Sequence, residues 1–237
     1  MVKYCLGDIM NKRFVSLLNQ LGIELNEKQK EQFDKYYNTL VTWNEKMNLT
    51  AITEREEVYI KHFYDSLSLV NAVSLSNQTL LDVGSGAGFP SIPLKIVFPD
   101  LQVTIIDALQ KRIGFLSTLC NELEIDVELI HGRAEEYDHK NSFDLVTARA
   151  VANLNMLSEL CIPFVKKNGY FLSLKGSKYQ EEIESIKNAL DILGAEIENV
   201  LEYSLEEQVR AIIKIKKTRD TNNKYPRKFN KIKSKPL

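Results

Sequence analysis

The rhythm of apolar and polar positions along this 237-residue chain changes once, near residue 75. Ahead of that point there is almost no strand-like alternation and no proline, and the pattern predicts helices. Leu25, Phe33, Tyr36, Tyr37, Leu40 and Val41, with Trp43 close behind, recur every three or four residues as the stripe of one amphipathic helix. Thr53, with Glu56 three residues on, has capping-box spacing and predicts a new helix start, after which "EEVYIKHFYDSLSLVNAV" keeps helical periodicity to about Val73.

Beyond the polar break "SLSNQ" come short β-rich runs: "TLLDV", "QVTIID", "VELIHG", "FDLVTAR", "GYFLSLK", "EIENVLEY" and "VRAIIKIKK". All but the last pair are separated by segments with a helical stripe, or by the short "GRAEE" stretch, and such alternation calls for a parallel sheet covered on both faces. Only "SLEEQ" joins the last two runs, too short for a parallel crossover, so the final strand is expected to be antiparallel. The fold class is therefore α/β, and the sheet resembles the Rossmann-like sheet of class I methyltransferases rather than that of dehydrogenases. The expected organisation is a helical N-terminal extension (1–75), a Rossmann-like domain (76–217) and a C-terminal tail (218–237).

Composition adds three points. At 44% apolar residues the chain can bury one good core, no apolar stretch is long enough to span a bilayer, and the first thirty residues lack the succession of a signal peptide. Cys5, Cys120 and Cys161 are scattered and odd in number, which predicts no disulfide framework, no metal site and a cytoplasmic location. Met10, ahead of "NKRFVSLL", is a second candidate start. The net charge of -1 hides an asymmetry: from Lys214 onward ten basic residues face only Asp220, so this segment carries +9 and the rest -10. Such a tail is either a solvated end or an electrostatic handle for a polyanion.

The candidate chemistry sits in "DVGSGAGFP", residues 82–90, between the first strand and the next helix, where backbone N–H groups face a ligand at the carboxyl edge of the sheet. Gly84 and Gly86 fit a dinucleotide fingerprint, but Phe89 and Pro90 do not: the ring is expected to fill the space of a diphosphate and the proline removes a donor. The loop suits a ligand without phosphate, such as S-adenosyl-L-methionine. Asp107, ending the second β run, is placed to accept from both ribose hydroxyls, although NAD would use the same carboxylate. The "GRAEE" stretch is expected to meet the adenine.

Further motifs join these: "WNEKMNLTAI", "HFYDSL", "DVGSGAGFPSIPLKI", "KRIGFL", "GRAEE", "DLVTARAVANL" and "YPRK". In this order, across nearly the whole chain, they resemble the RsmG (GidB) family of bacterial methyltransferases that make 7-methylguanosine in 16S ribosomal RNA, at guanine 527 in the usual 16S numbering. The resemblance implies a class I S-adenosylmethionine-dependent methyltransferase with a helical N-terminal extension, acting as a monomer on 16S RNA or the small ribosomal subunit, with no membrane and no metal. It implies cofactor contacts by Gly84, Phe89, Ala134, Glu135 and Arg149, to which the loop and ribose arguments add Gly86 and Asp107. Ser91 stands where the family usually has glycine, and the tail lacks the Gly-Thr-Pro turn that commonly precedes "KPL".

N7 of guanine carries an unshared pair at neutral pH, so no base has to act first; holding the reactants in line and desolvating them is the enzyme's task. The fourth-strand loop "TARAVANL" holds neither a Pro-Cys pair nor an Asn/Asp-Pro-Pro-aromatic run, which favours a ring nitrogen as acceptor over cytosine C5 or an exocyclic amine. Arg149 is the candidate catalytic residue, hydrogen-bonding cofactor or guanine, with an ion pair that orders the loop as its other open role. His62 and Asp65 are expected to dock the helical extension, and Trp43 and Asn48 to pack and cap. Arg227, Lys228, Lys231, Lys233 and Lys235 are expected to hold RNA phosphates, so that deleting 219–237 weakens RNA binding and spares the cofactor. Two other functions stay open at this level: a dinucleotide-dependent oxidoreductase, and an RNA-binding module without activity.

Overall fold

The computed structural model describes residues 12–237; Cys5 and Met10 lie outside them. Seven strands form one sheet in the order β3-β2-β1-β4-β5-β7-β6. They are β1 (Thr79–Val83), β2 (Gln102–Asp107), β3 (Glu128–His131), β4 (Phe143–Arg149), β5 (Val165–Lys175), β6 (Ala195–Leu205) and β7 (Gln208–Lys217). The first five pair in parallel, and β7 runs antiparallel to both its neighbours. The antiparallel last strand expected from the short "SLEEQ" link is present, but it is wedged between β5 and β6 and not at the edge. Its hairpin turns on Glu206 and Glu207, both with positive φ (48° and 63°), the sense that matches strand twist.

Alternate strand residues enter different cores, as a period of two requires. Leu80, Ile105, Leu172 and Ile212 face one core, shared with the N-terminal helices; Leu81, Ile106, Phe171 and Ile213 face the other. The N-terminal layer comprises α1 (Lys12–Gln20), α2 (Glu27–Met47), α3 (Arg55–Val58) and α4 (Asp65–Leu67). Phe14, Phe33, Tyr59 and Phe63 are fully buried in it, edge-on or tilted to one another at centroid separations of 5.0–5.5 Å in the closest pairs. A reciprocal capping box between Asn26 and Gln29 starts α2, and the Gln29 amide also donates to Ile96 O.

Two local expectations shift. The new start after residue 50 is capped by Glu54, whose carboxylate accepts from Glu57 N, and not by Thr53, whose carbonyl accepts from Tyr37 Oη. The segment to residue 73 is not one regular helix: between α3 and α4 the backbone widens into a π-helical turn, Tyr59–Tyr64, and Ser68–Asn71 tightens to 3-10. A π turn re-aims side chains within a helix, and this one carries His62.

Under the second face lie α7 (Leu154–Cys161), α8 (Tyr179–Ser185), α9 (Lys187–Leu193) and the C-terminal α10 (Phe229–Ser234), while α5 (Ser91–Val97) and α6 (Gln110–Leu123) join the first. The tail is thus folded onto the body. Tyr225 and Ile232 are buried in the second core. Arg227 grips Glu159 of α7 through both guanidinium arms, Nε to Oε1 at 2.7 Å and a terminal nitrogen to Oε2 at 2.6 Å, and Glu159 is wholly buried. Lys217 is buried too, donating to Ile162 O and Val165 O, and burial pushes its ammonium down to about 8. No helix among the described residues is long and apolar enough to cross a membrane.

Candidate active site

The loop after β1 turns through Gly84, Gly86 and Gly88, all at positive φ. Gly88 has no substitute: a Cβ there would stand 2.7 Å from Ile92 and 2.8 Å from Tyr36 Oη. Tyr36 itself donates to Ala87 O at 2.6 Å and stacks on Phe89 at 5.4 Å, so the N-terminal layer holds the loop in place. Phe89 is 4% exposed, lying between Tyr36 and the His62 ring (4.6 Å, 26° between planes) with the Arg149 guanidinium 4.7 Å from its centroid. This revises the expectation for Phe89: its ring bolts the loop to the extension and shows only an edge to the cavity above, so the main case in the loop against a diphosphate is the donor that Pro90 lacks.

Beneath the loop, Asp82 near the end of β1 is fully buried, with one oxygen accepting from Ser91 Oγ (2.6 Å) and N (3.3 Å) and the other without a partner among the described residues. The serine at the position where glycine was expected thus serves the carboxylate and caps nothing. Burial pushes the Asp82 carboxyl up to about 7, against the Ser91 bonds and the Arg149 charge. The proton is held more tightly in the folded chain than in the unfolded one. Its contribution to stability is therefore complete below about pH 4 and is lost as pH rises through about 7. The neutral His62, pushed the opposite way, gains stability over the same range, so the Asp82 loss is read as a difference. In urea unfolding between pH 4.5 and 8 the wild type should lose stability relative to Asp82→Asn, and a difference that does not change with pH would refute this.

Above the loop is a cavity of about 450 Å³. Gly84, Gly86, Phe89, Asp107 and Arg149, all candidates from sequence, line it together. Asp107 is 3% exposed; Oδ1 accepts from Leu109 N at 2.9 Å, while Oδ2 faces Gly86 N at 3.3 Å and Arg112 at 3.4 Å. Ala134 and Glu135 do not line this cavity. They lie on the 3-10 turn Ala134–Glu136 after β3, Ala134 packed into the second core and Glu135 beside Arg133. Pattern reading missed Leu109 and Val151, which also line it; among the described residues they are two of the three large apolar side chains left open to solvent, 53% and 42% exposed. Exposed apolar groups flanking a glycine cradle suit a ring such as adenine, and their signal lay only in an apolar residue close beside each polar candidate.

Arg149, ending β4, ties this cavity to the extension. It donates to Asp65 Oδ2 at 3.0 Å and to His62 Nδ1 at 3.2 Å. Arginine only donates, so His62 Nδ1 must accept and Nε2 carries the proton facing Thr50 Oγ1 at 2.8 Å. Burial, helped by the Arg149 charge, pushes the imidazole down to about 3, and it stays neutral. Asp65 is spent as well, its Oδ1 accepting from Tyr203 Oη at 2.8 Å. His62 and Asp65 thus dock the extension as expected, and Arg149 fills the ordering role as well as facing the cavity. Asn48 caps α2 in left-handed conformation and Trp43 packs edge-on against Phe115. The described residues contain no cluster of three metal-ligating side chains.

A second cavity, about 510 Å³, shares His62, Arg149, Ala150 and Val151 with the first and extends past Lys175 and Glu182 at the carboxyl edge of β5. Two adjoining cavities over the switch of a mostly parallel sheet, one with a glycine cradle and a carboxylate, fit a bound nucleoside beside an acceptor.

The fold and this site define a class I methyltransferase, with S-adenosyl-L-methionine as cofactor. Solved structures agree on the fold: TYW2 of M. jannaschii in complex with AdoMet matches 61% of this chain and 71% of its own at TM-score 0.53 and 18% identity. Geranyl diphosphate methyltransferase in complex with SAM matches 66% and 85% at TM-score 0.53 and 12% identity. The family model "GidB: rRNA small subunit methyltransferase G" matches residues 29–212, and the chain belongs to that family. It is 54% identical over 225 residues to the ribosomal RNA small subunit methyltransferase G of Bacillus cytotoxicus, covering 92% of this chain and 94% of that one. To the protein of the same name from Staphylococcus saprophyticus it is 52% identical over 227 residues, covering 93% and 95%.

Proposed function

We propose that the protein transfers a methyl group from S-adenosyl-L-methionine to N7 of a guanine in 16S ribosomal RNA, the base at position 527. The observation that carries this, given the family, is an acceptor cavity beside the cofactor cavity where neither His62, on the shared wall, nor Asp65, in the acceptor cavity beside Arg149, is a working base. His62 is neutral, with both ring nitrogens engaged. Asp65 is buried, with both oxygens bonded. A nucleophile that arrives with a free lone pair suits such a wall. Among the described residues the thiol route to cytosine C5 is unsupported: Cys161 is fully buried with its thiol pushed well up, burial pushes Cys120 up to about 12, and neither lines the cavities.

The cofactor supplies an electrophilic methyl on a positive sulfur. Gly84, Gly86 and Asp107 bind its nucleoside part, and Leu109 and Val151 shed water around it. Arg149, held by Asp65 and His62, orients the incoming guanine through O6, since donation to N7 would block the nucleophile. Holding the two reactants in line accounts for most of the acceleration. A base within folded RNA reaches such a cavity once it is unstacked.

Labelled methyl incorporation into small-subunit RNA from cells with and without this protein, followed by nucleoside analysis, tests the reading. Uptake only into RNA from cells lacking it, recovered as 7-methylguanosine, supports it; equal uptake into both, or another methylated nucleoside, refutes it.

For the tail, the folded arrangement changes the test. Deleting 219–237 would strip Tyr225 and Ile232 from the core and orphan Glu159, so weakened RNA binding would say nothing about charge. Lys228, Lys231, Lys233 and Lys235 are exposed and remain candidates for phosphate contact, whereas Arg227 is committed to Glu159. Replacing the four lysines by glutamine should weaken RNA binding with cofactor affinity unchanged. The slope of log affinity against log salt should become shallower by about 0.7–0.9 for each phosphate no longer neutralised. An unaltered salt slope in filter binding would remove the tail from the RNA interface.

A further inference from the structure

Two carboxylates line the acceptor cavity, Asp65 and Glu182, and only one has capacity to spare. Asp65 accepts from Arg149 and Tyr203. Glu182, on α8, uses a single oxygen for two fixed jobs: Oε2 accepts from Leu154 N at 2.6 Å and pairs with Lys175 Nζ at 2.7 Å. Lys175 also donates to Ala152 O at 2.9 Å, so the pair pins the loop after β4 at Ala152 and Leu154. Glu182 Oε1 accepts nothing from the described residues, and the side chain is 21% exposed, open to the cavity.

Glu182 lines the second cavity and is absent from the wall the two cavities share. In guanine, N7 and the N1–H/N2–H₂ edge are on opposite sides of the base. If N7 faces the cofactor cavity, the donor edge points to the end that holds Lys175 and Glu182. A carboxylate oxygen accepts from those two donors, whereas adenine presents an acceptor at N1. We propose that Glu182 is the residue that selects guanine, its Oε1 accepting from N1–H and N2–H₂ of the flipped base, with Lys175 as the positioning residue that fixes the carboxylate. This deepens the N7-guanine reading and rests on it.

Glu182→Gln isolates the effect. Leu154 N and Lys175 keep the amide oxygen on their side, so the amide nitrogen replaces Oε1 and sets donor against donor. Small-subunit RNA ligated from two pieces, carrying guanosine or inosine at the target, is methylated by wild type and variants, with cofactor binding and thermal unfolding measured on each. Inosine lacks only the N2 amine. Wild type is expected to prefer guanosine about tenfold or more in kcat/KM, the worth of a hydrogen bond to a charged group. In Glu182→Gln the rate on guanosine falls and the preference shrinks toward one, with cofactor affinity kept. Lys175→Met should lower the rate yet keep the preference. Equal rates on the two RNAs with wild type, an undiminished preference in Glu182→Gln, or loss of preference confined to Lys175→Met would each overturn the assignment. Wild type that forms no 7-methylguanosine on the guanosine RNA would instead defeat the underlying reading.

Discussion

Methyl transfer by Arg149→Met is expected to fall about 100-fold, the scale set by misplacing a reacting group by about an ångström. The guanidinium is where the two cavities and the N-terminal layer meet. Its loss removes the donors to Asp65 and His62 and the cation over Phe89. Asp65 is 5% exposed and would keep Tyr203 as its hydrogen-bond partner and Arg210 Nε, 3.9 Å away, as a weaker cation. Breaking a buried pair from one side costs about 3–5 kcal/mol, and the partners Asp65 keeps set the loss toward the low end of that range, so thermal unfolding should shift as well. Arg149→Lys separates the two effects. It keeps a charge for Asp65 but lacks the fork that reaches His62 at the same time, so most stability should return and most activity should not. Single-turnover methyl transfer, with unfolding followed in parallel, decides this; activity within about threefold of wild type in Arg149→Met would reduce the residue to a strut.

The second large effect is on stability alone. Arg227→Met leaves a carboxylate with no exposed surface facing the core, and about 3–5 kcal/mol should be lost. At about 2–4 °C per kcal/mol for a chain of this size, the midpoint drops by roughly 6–20 °C. Glu159→Leu combined with Arg227→Met should recover much of it, because replacing both members of a buried pair removes the desolvation cost with the attraction. RNA affinity of the folded double variant should match wild type. A midpoint within about 2 °C of wild type in Arg227→Met, the small change expected of a surface pair, contradicts the buried latch.

The contrast between Arg227 and its lysine neighbours shows what was legible in the chain. Strand and helix identity came through because hydrophobic period is local, and so did the glycine loop, whose demands are met within a short stretch. The antiparallel last strand followed from a link too short to cross the sheet. What escaped were partners far apart in sequence: Arg227 with Glu159, 68 residues away; Tyr36 with Ala87, 51 away; Arg149 with Asp65, 84 away. Charge density singled out Arg227 as a phosphate ligand because nothing in "YPRK" reveals a buried acid waiting on α7. Likewise Phe89 looked like an obstruction until the aromatic face of the extension was in view. The one-residue move of the helix cap from Thr53 to Glu54 is smaller in kind, since both side chains can accept from an amide two or three residues on.

The position of β7 bears on how the protein comes off the ribosome. Synthesis delivers the residues of β1 to β5 first, and a sheet of these five alone would leave a bare row of N–H and C=O groups along the outer side of β5. Residues 195–205 emerge next, but they have no place against β5. Only when residues 208–217 appear does the hairpin fold back and slot between them, joining β5 on one side and β6 on the other. A sheet without residues 208–217 would therefore hold Gly84, Gly86 and Asp107 beside an open edge, the kind of edge that pairs with a wrong strand.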